Sequence, residues 1–353
     1  MPHRSLLLHS FIRKFKDLYY SFIIPAFNRP DEIRELLESF TLLQVPANNM
    51  EGFEVIIADG SPTPILSPLI EEFESRLSIH HLHRPRLAIS PSRNLGAEHA
   101  KGDYLIFLDS DVILPQSYLS IVHQSLLQER IDAFGGPDAA HKSFTMVQKA
   151  INFAMTSYLT TGGIRGGKKQ IHQFNPRGFN MGIRKDVFHQ MKGFSSFSCG
   201  EDIELSIRMI NDKFNVKLIA DAFVYHKRRA TFKSFFRQVF RFGAARINIF
   251  YRHRSELKIT HLFPSAFMGF IVLGMFSALI STILFNGFLI TIACYYLAIF
   301  FSAAIKENNL MVGFLSIVAS TCQLLGYGSG FISNAVAVFV QGKKDGLALG
   351  ASK

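Results

Sequence analysis

The chain has 353 residues, 48% hydrophobic and 18% charged, with a formal net charge of +11 from 38 basic and 27 acidic side chains. This length suits one large domain plus an appendage. Its three cysteines, Cys199, Cys294 and Cys322, form no C-x-x-C pair, which excludes a disulfide framework and zinc-site spacing.

In chain order, residues 1–19 are basic with a short apolar run at Leu6 to Leu8, too short for a signal peptide. They read as a basic amphipathic segment that lies on a membrane or, equally, as a plain surface helix. "YYSFIIPAFNRP" predicts a buried strand ending in a turn. Pro30-Asp31 then opens a helix with Ile33, Leu36, Leu37 and Phe40 on one face. "FEVIIADGSP" is a second strand and "SIHHLHRP" a weaker third. Alternation in the third puts His81 and His83 on one face and His80 on the other, as surface histidines. "SPSRNLGAEHAKGD" is a capped short helix, and "YLIFLDSD" a fourth strand. Strands alternating with helices predict an α/β domain with a mostly parallel, Rossmann-like sheet, in which ligands bind at the carboxyl ends of the strands. Those ends carry Asn28, Asp59, Asp109 and Asp111.

Residues 145–185 are less regular. "TTGGIRGGKKQ" contains the G-x-x-x-x-G-K pattern of a P-loop at Gly162 to Lys168, but Lys169 stands where the magnesium-binding Ser/Thr belongs and no strand leads into it. It reads better as a loop that closes over a ligand. "NPRGFNMGIRKDVF" follows, then a helix from "GEDIELSIRMIND" and short strands through "VKLIADAFVYH". Residues 231–247 predict a helix with Phe232, Phe235, Phe236, Val239, Phe240 and Gly243 on one face and Lys233, Arg237 and Arg241 beside it, suited to a membrane interface.

Between Lys227 and Lys258 stand ten lysines and arginines and one acid, Glu256. From Leu262 to Val340 the only charges are Lys306 and Glu307. A basic collar directly before a long apolar tail argues for a cytoplasmic membrane face rather than a nucleic-acid surface. The tail divides into three spans, 262–285, 288–305 and 310–340, punctuated by Asn286-Gly287 and by 306–309. The "GYGSG" at 326–330 leaves the last span either one long helix or a broken one. The expected organisation is a basic segment at 1–19, a catalytic domain at 20–230, an interfacial region at 231–260, about three membrane helices in 261–341 and a tail at 342–353. The expected location is the inner (plasma) membrane, multi-pass, with the catalytic domain cytoplasmic. A transporter is disfavoured because no charged pathway crosses the tail.

Asp109 and Asp111, at the end of a buried strand, suit a hard divalent cation, Mg²⁺ or Mn²⁺. Alone, D-x-D reads as readily as a solvated turn or a helix N-cap. Likewise, Glu201, Asp202 and Glu204 at a helix start read as acids favoured by the dipole.

Taken in order and spacing, "FIIPAFNRP", "EVIIADGSP", "SRNLGAEHAKGDYLIFLDSD", "FNMGIRKDVF" and "GEDIELSIR" resemble the family 2 glycosyltransferases over roughly Ser21 to Arg229. The resemblance implies a GT-A fold, a nucleotide-diphospho-sugar donor, a divalent metal and inversion at the anomeric carbon. It assigns Asp111 as metal ligand, with Asp109 shared between metal and donor. His226 of "FVYH" completes the metal site in some relatives, although a lone histidine is as readily structural. Pro25, Ala26, Asn28, Asp59 and Arg93 match donor-binding positions. Many members have two acids where this chain has Ala58-Asp59, which leaves the nucleobase open. Asp202 matches the catalytic base, with Glu201 and Asn180 supporting it or binding acceptor. "QVFRF" resembles the Q-x-x-R-W motif of polysaccharide synthases, with Phe242 in place of Trp. Arg241 then pairs with the diphosphate or, as the bland alternative, with lipid headgroups. The acceptor implied is a hydroxyl of a lipid-linked or glycan molecule at the membrane lipids. The alternatives are a processive polysaccharide synthase and a polyprenyl-phosphate glycosyltransferase.

Overall fold

The computed structural model describes residues 18–45, 52–139, 144–161, 174–197 and 199–343. In chain order the elements begin β1 (Tyr20–Ala26), α1 (Pro30–Thr41), β2 (Phe53–Asp59), α2 (Ser67–Phe73), β3 (Ile79–His83), α3 (Ile89–His99), β4 (Tyr104–Leu108), β5 (Val112–Ile113), α4 (Tyr118–Gln128), β6 (Ala133–Gly135) and β7 (Asp138–Ala139). They continue with α5 (Met146–Thr156), α6 (Tyr158–Thr161), β8 (Asn180–Arg184), α7 (Lys185–Gln190), α8 (Glu201–Asn211), β9 (Val216–Leu218), β10 (Val224–His226), α9 (Phe232–Arg252), α10 (Phe263–Ser277), α11 (Thr282–Glu307) and α12 (Leu310–Ala335). Two compact units result. The first takes residues up to 139 and 173–226, the second 140–172 and 227 onward.

The first unit is built on a seven-stranded sheet of order β3-β2-β1-β4-β8-β6-β9, with a small sheet β5-β10-β7 beside it. The pairs β3–β2, β2–β1 and β1–β4 are parallel, as the strand–helix alternation predicts. β8 is antiparallel to both β4 and β6. Every residue of β4 is buried, which is why "YLIFL" is apolar without alternation: both faces of this central strand are covered. Period two divides the strands between two cores. Phe22, Ile24, Val55, Ile57, Ile106 and Leu108 pack on one side of the sheet, and Ile23, Ile56, Leu105 and Phe107 on the other. α1 starts at Pro30, whose fixed φ suits the first helical position, and Asp31 and Glu32 in its first turn complement the helix dipole. Its Ile33, Leu36, Leu37 and Phe40 are buried, the face anticipated.

The second unit is helical, and three expectations about it change. α9 runs to Arg252, five residues beyond the predicted end, and its Phe235, Val239 and Gly243 are buried in the unit while Phe236 is exposed. Those buried residues pack on α5 and α12 instead of facing outward as a single lipid-facing stripe. The apolar tail breaks at 278–281, not at Asn286-Gly287, which lie inside α11. Of the three expected spans, α11 (26 residues) and the stretch Leu310–Val340 (31 residues) are long and apolar enough to cross a membrane by length and composition. α10, with 15 residues, falls short of the roughly 20 that a span requires.

"GYGSG" does not break α12. A Cβ at Gly330 would collide with the Phe240 carbonyl oxygen, and one at Gly326 would come 2.6 Å from Val239 Cγ2, both on α9. On another side, a Cβ at Gly328 would fall 2.8 Å from the Pro264 carbonyl of α10. The glycines let one helix lie close to two others, a small-residue packing device of apolar helices. Asn334, fully buried, donates its amide to Ala244 O (2.6 Å) and Asn248 Oδ1 (2.7 Å) of α9. α11 turns Ile283, Leu297, Phe301 and Ile305 outward, an exposed apolar face. The expected segments 1–17 and 344–353, and the loop 162–173 with its P-loop-like pattern, lie outside the described residues.

Candidate active site

The carboxyl ends of β1, β2 and β4 meet at one edge of the sheet, where Ala26 is in register with Asp59. Asp59 is fully buried and accepts hydrogen bonds from Ser61 N (2.8 Å) and His81 Nε2 (3.3 Å). Burial by itself would raise its pKa, but the bonds from His81 and Ser61 prevail and hold it below the usual aspartate range. The same Ser61 accepts from Asn28 N at 2.9 Å through its hydroxyl and from His83 Nε2 at 2.9 Å through its carbonyl. Asn28 is itself in the left-handed region, φ 52°, a conformation that asparagine tolerates. His81 and His83 share one face of β3 as alternation predicts. They serve this turn, however, and the expectation of ordinary surface histidines fails. Pro25 is half-buried beside Ala58, and Asn28 is exposed at the rim.

The D-x-D turn joins β4 to β5. Asp109 Oδ1 pairs with Arg93 Nη2 at 2.8 Å, and Arg93 Nη1 pairs with Glu201 Oε1 at 2.6 Å. The Arg93 side chain is 3% exposed and lies over the Phe194 ring at 5.2 Å. Opposite, a Cβ on Gly178 would stand 2.5–2.8 Å from its guanidinium. Arg93, a donor-side residue by the resemblance, is a buried cation between two carboxylates, one of them Asp109 of the D-x-D turn. Its pKa would fall with burial, but Asp109 and Glu201 raise it above the ordinary arginine value. Burial pushes the Glu201 carboxyl above the usual glutamate range, and Arg93 only partly pulls it back.

Asp111 Oδ1 faces His226 Nε2 at 3.1 Å, and its Oδ2 accepts from Arg29 Nη1 at 3.0 Å. His226 comes from β10, paired antiparallel with β5, and the Phe179 ring lies against it at 5.0 Å between centroids. One ligand atom each from Asp109, Asp111 and His226 lie within 4.8 Å of one another. Two hard carboxylates and one imidazole on a partly exposed rim fit a six-coordinate Mg²⁺ or Mn²⁺ that keeps open positions.

Asp202 stands in the first turn of α8. Gly200 is the N-cap at φ 85°, a conformation that disfavours any residue with a Cβ. The half-buried Asp202 carboxylate accepts from Gly178 N at 3.0 Å and from its neighbour Ile203 N at 2.7 Å. Glu204, two residues on, pairs with Arg208 at 2.9 Å along the helix and is structural. Asn180 is fully buried. Its Oδ1 accepts from Tyr118 Oη (2.6 Å), and its Nδ2 donates to Ala222 O (2.8 Å). Both ends of its amide are thus engaged in the core. Arg241 belongs to α9 in the second unit.

Residues missed from the sequence are Arg29, Gly178 and His81. Each acts through a tertiary neighbour that no spacing rule reveals.

Residues 21–191 match the family model described as "Glycosyl transferase family 2". The chain is 26% identical over 249 residues to the succinoglycan biosynthesis protein ExoA of Rhizobium meliloti, covering 69% of this chain and 74% of that one. It is 24% identical over 261 residues to a dolichyl N-acetyl-alpha-D-glucosaminyl phosphate 3-beta-D-2,3-diacetamido-2,3-dideoxy-beta-D-glucuronosyltransferase of Methanococcus voltae, covering 71% and 79%. Among solved structures, the mannosyltransferase PcManGT of Pyrobaculum calidifontis, in complex with GDP-Man and Mn²⁺, superposes with a TM-score of 0.61 at 14% identity, covering 91% of this chain and 94% of that one. Fold and family model agree with the five linked motifs: residues 21–191 carry a glycosyltransferase family 2 domain, on an α/β fold of GT-A type.

Proposed function

We propose that the protein is an inverting, metal-dependent glycosyltransferase that moves a sugar from a nucleoside-diphospho-sugar to a hydroxyl of a lipid-linked or polysaccharide acceptor at the cytoplasmic membrane face. The observation that carries this reading is the chain Asp111/Asp109–Arg93–Glu201–Asp202. It runs from a candidate metal cluster at the sheet edge to a carboxylate held at a helix start. The lipid-linked acceptor is favoured by the acceptor in the name of the Methanococcus relative and by the outward apolar face of α11. Catalytic domain at 20–230, membrane-associated region at 231–341 and multi-pass insertion are parts of the same proposal.

Asp109, Asp111 and His226 would hold the cation. When bound, it neutralises charge developing on the departing diphosphate. Asp202 takes the proton of the acceptor hydroxyl as that oxygen attacks the anomeric carbon from the face opposite the leaving group. Gly178 N–H fixes the carboxylate's orientation. Glu201 and Arg93 set its distance from Asp109, so that base and donor stay in one geometry. Asp59, held ionised by His81 and Ser61, and the Pro25–Asn28 turn border the nucleoside.

Asp202→Asn tests the assignment. It keeps the size and one acceptor of the side chain but cannot take a proton. Transfer is expected to fall about 10²- to 10⁴-fold, while nucleoside diphosphate binding by calorimetry stays within about twofold. Parallel loss of binding and turnover, or retained turnover, overturns the role. A screen of UDP-, GDP- and dTDP-sugars with Mn²⁺ identifies the donor.

A further inference from the structure

Both acids of the D-x-D turn already have an arginine: Arg93 for Asp109 at 2.8 Å, and Arg29 for Asp111 at 3.0 Å. The two pairs are held very differently. Arg93 is 3% exposed, has a second carboxylate in Glu201 and is packed between Gly178 and Phe194. Leaving Asp109 would strand a buried charge, so this pair is fixed. Arg29 is 25% exposed and, among the described residues, makes one ion pair. A partly exposed single pair is weak and breaks at little cost. Its backbone is nevertheless pinned. Asn28 before it is left-handed with its N–H on Ser61 Oγ, and Pro30 after it opens α1. The side chain can therefore leave Asp111 without disturbing the rim.

We propose that Arg29 is a resident counter-cation for Asp111. It neutralises the carboxylate while no metal is bound and yields that oxygen when a divalent cation enters. The released guanidinium then pairs with the diphosphate of the donor. The inference rests on the metal reading of the Asp109, Asp111 and His226 cluster. Its chemistry is that of an arginine fork, which suits carboxylate and phosphate equally well. A competitor for the metal and a ligand for the nucleotide are one side chain, so removing it must move the two affinities in opposite directions. A merely structural residue would weaken both.

The test uses the full chain in detergent as wild type, Arg29→Gln, Arg29→Lys and Asp111→Asn. Free Mn²⁺ is followed by electron paramagnetic resonance without nucleotide, and UDP or GDP binding is then measured by calorimetry at saturating Mn²⁺. Arg29→Gln is expected to bind Mn²⁺ about three- to tenfold tighter and the nucleoside diphosphate about tenfold more weakly. Arg29→Lys is expected to lie between wild type and Arg29→Gln in both. Equal or weaker Mn²⁺ binding by Arg29→Gln, with unchanged circular dichroism, overturns the competitor role. Unchanged nucleotide affinity overturns the ligand role. Failure of the metal reading looks different: wild type takes up no Mn²⁺, or Asp111→Asn takes it up as well as wild type, and the proposal falls with it.

Discussion

Replacing Arg93 with methionine keeps an unbranched stem and deletes the charge that lies between Asp109 and Glu201. Both partners lose their counter-charge, and Glu201, with a side chain 8% exposed, has no solvent to compensate. Breaking a buried pair from one side costs about 3–5 kcal/mol. For a unit of this size each kcal/mol lowers the unfolding midpoint by roughly 2–4 °C, giving a drop of roughly 6–20 °C. The pH dependence follows from Glu201. Its folded pKa already lies above its unfolded value, and loss of Arg93 raises it further. A carboxyl raised in this way stabilises the fold below its unfolded pKa, roughly 4.3, and that contribution is lost as pH rises through the folded value. The gap between wild type and Arg93→Met should therefore be widest near neutrality and narrow in acid, where Glu201 is protonated. Thermal unfolding of the full chain by scanning fluorimetry at pH 8, 7, 6 and 5 reads it directly. A gap under about 2 °C at pH 8, or one constant with pH, would refute the reasoning that a buried charge bridge organises this site.

Two further substitutions probe close approach. Gly178→Ala would place a Cβ 2.5–2.8 Å from a guanidinium that two carboxylates prevent from moving aside. It should displace both Arg93 and the N–H that orients Asp202, lowering kcat roughly 10- to 100-fold with little change in nucleotide affinity; steady-state kinetics with calorimetry separates the two. Gly330→Ala would drive α12 from the Phe240 carbonyl of α9 and should destabilise the helical unit by about 1–3 kcal/mol, seen as faster proteolysis within 227–343. Gly269→Ala, with open space around the new methyl, should leave that rate unchanged.

The strands of the first unit were legible because a fully buried strand has to be apolar on both sides, and "FIIPA", "VIIA" and "YLIFL" are. The helix of Pro30 was legible from local chemistry: a proline, two acids and a 3.6-residue apolar period. Five spaced motifs carried the family. The tail was legible only as apolar. Apolarity does not say where a helix bends, so the break appeared at 278–281 while Asn286-Gly287 stayed helical. Nor does it distinguish a face turned to lipid from one turned to a neighbouring helix, and so Phe235 and Val239 were placed on the wrong surface.

Burial and periodicity are local properties of the chain, so the four parallel strands and the acids at their carboxyl ends could be read directly, whereas Asp202 as candidate base came only from resemblance to the family. Tertiary structure alone decided which charges meet. Arg93 lies 16 residues from Asp109 and 108 from Glu201, and Arg29 lies 82 from Asp111. Pairing at such separations is set by strand order and by where each turn aims its side chain. The D-x-D acids therefore read from sequence as charges awaiting a metal. In the fold each faces an arginine, one locked between Glu201 and Phe194 and one at the open rim.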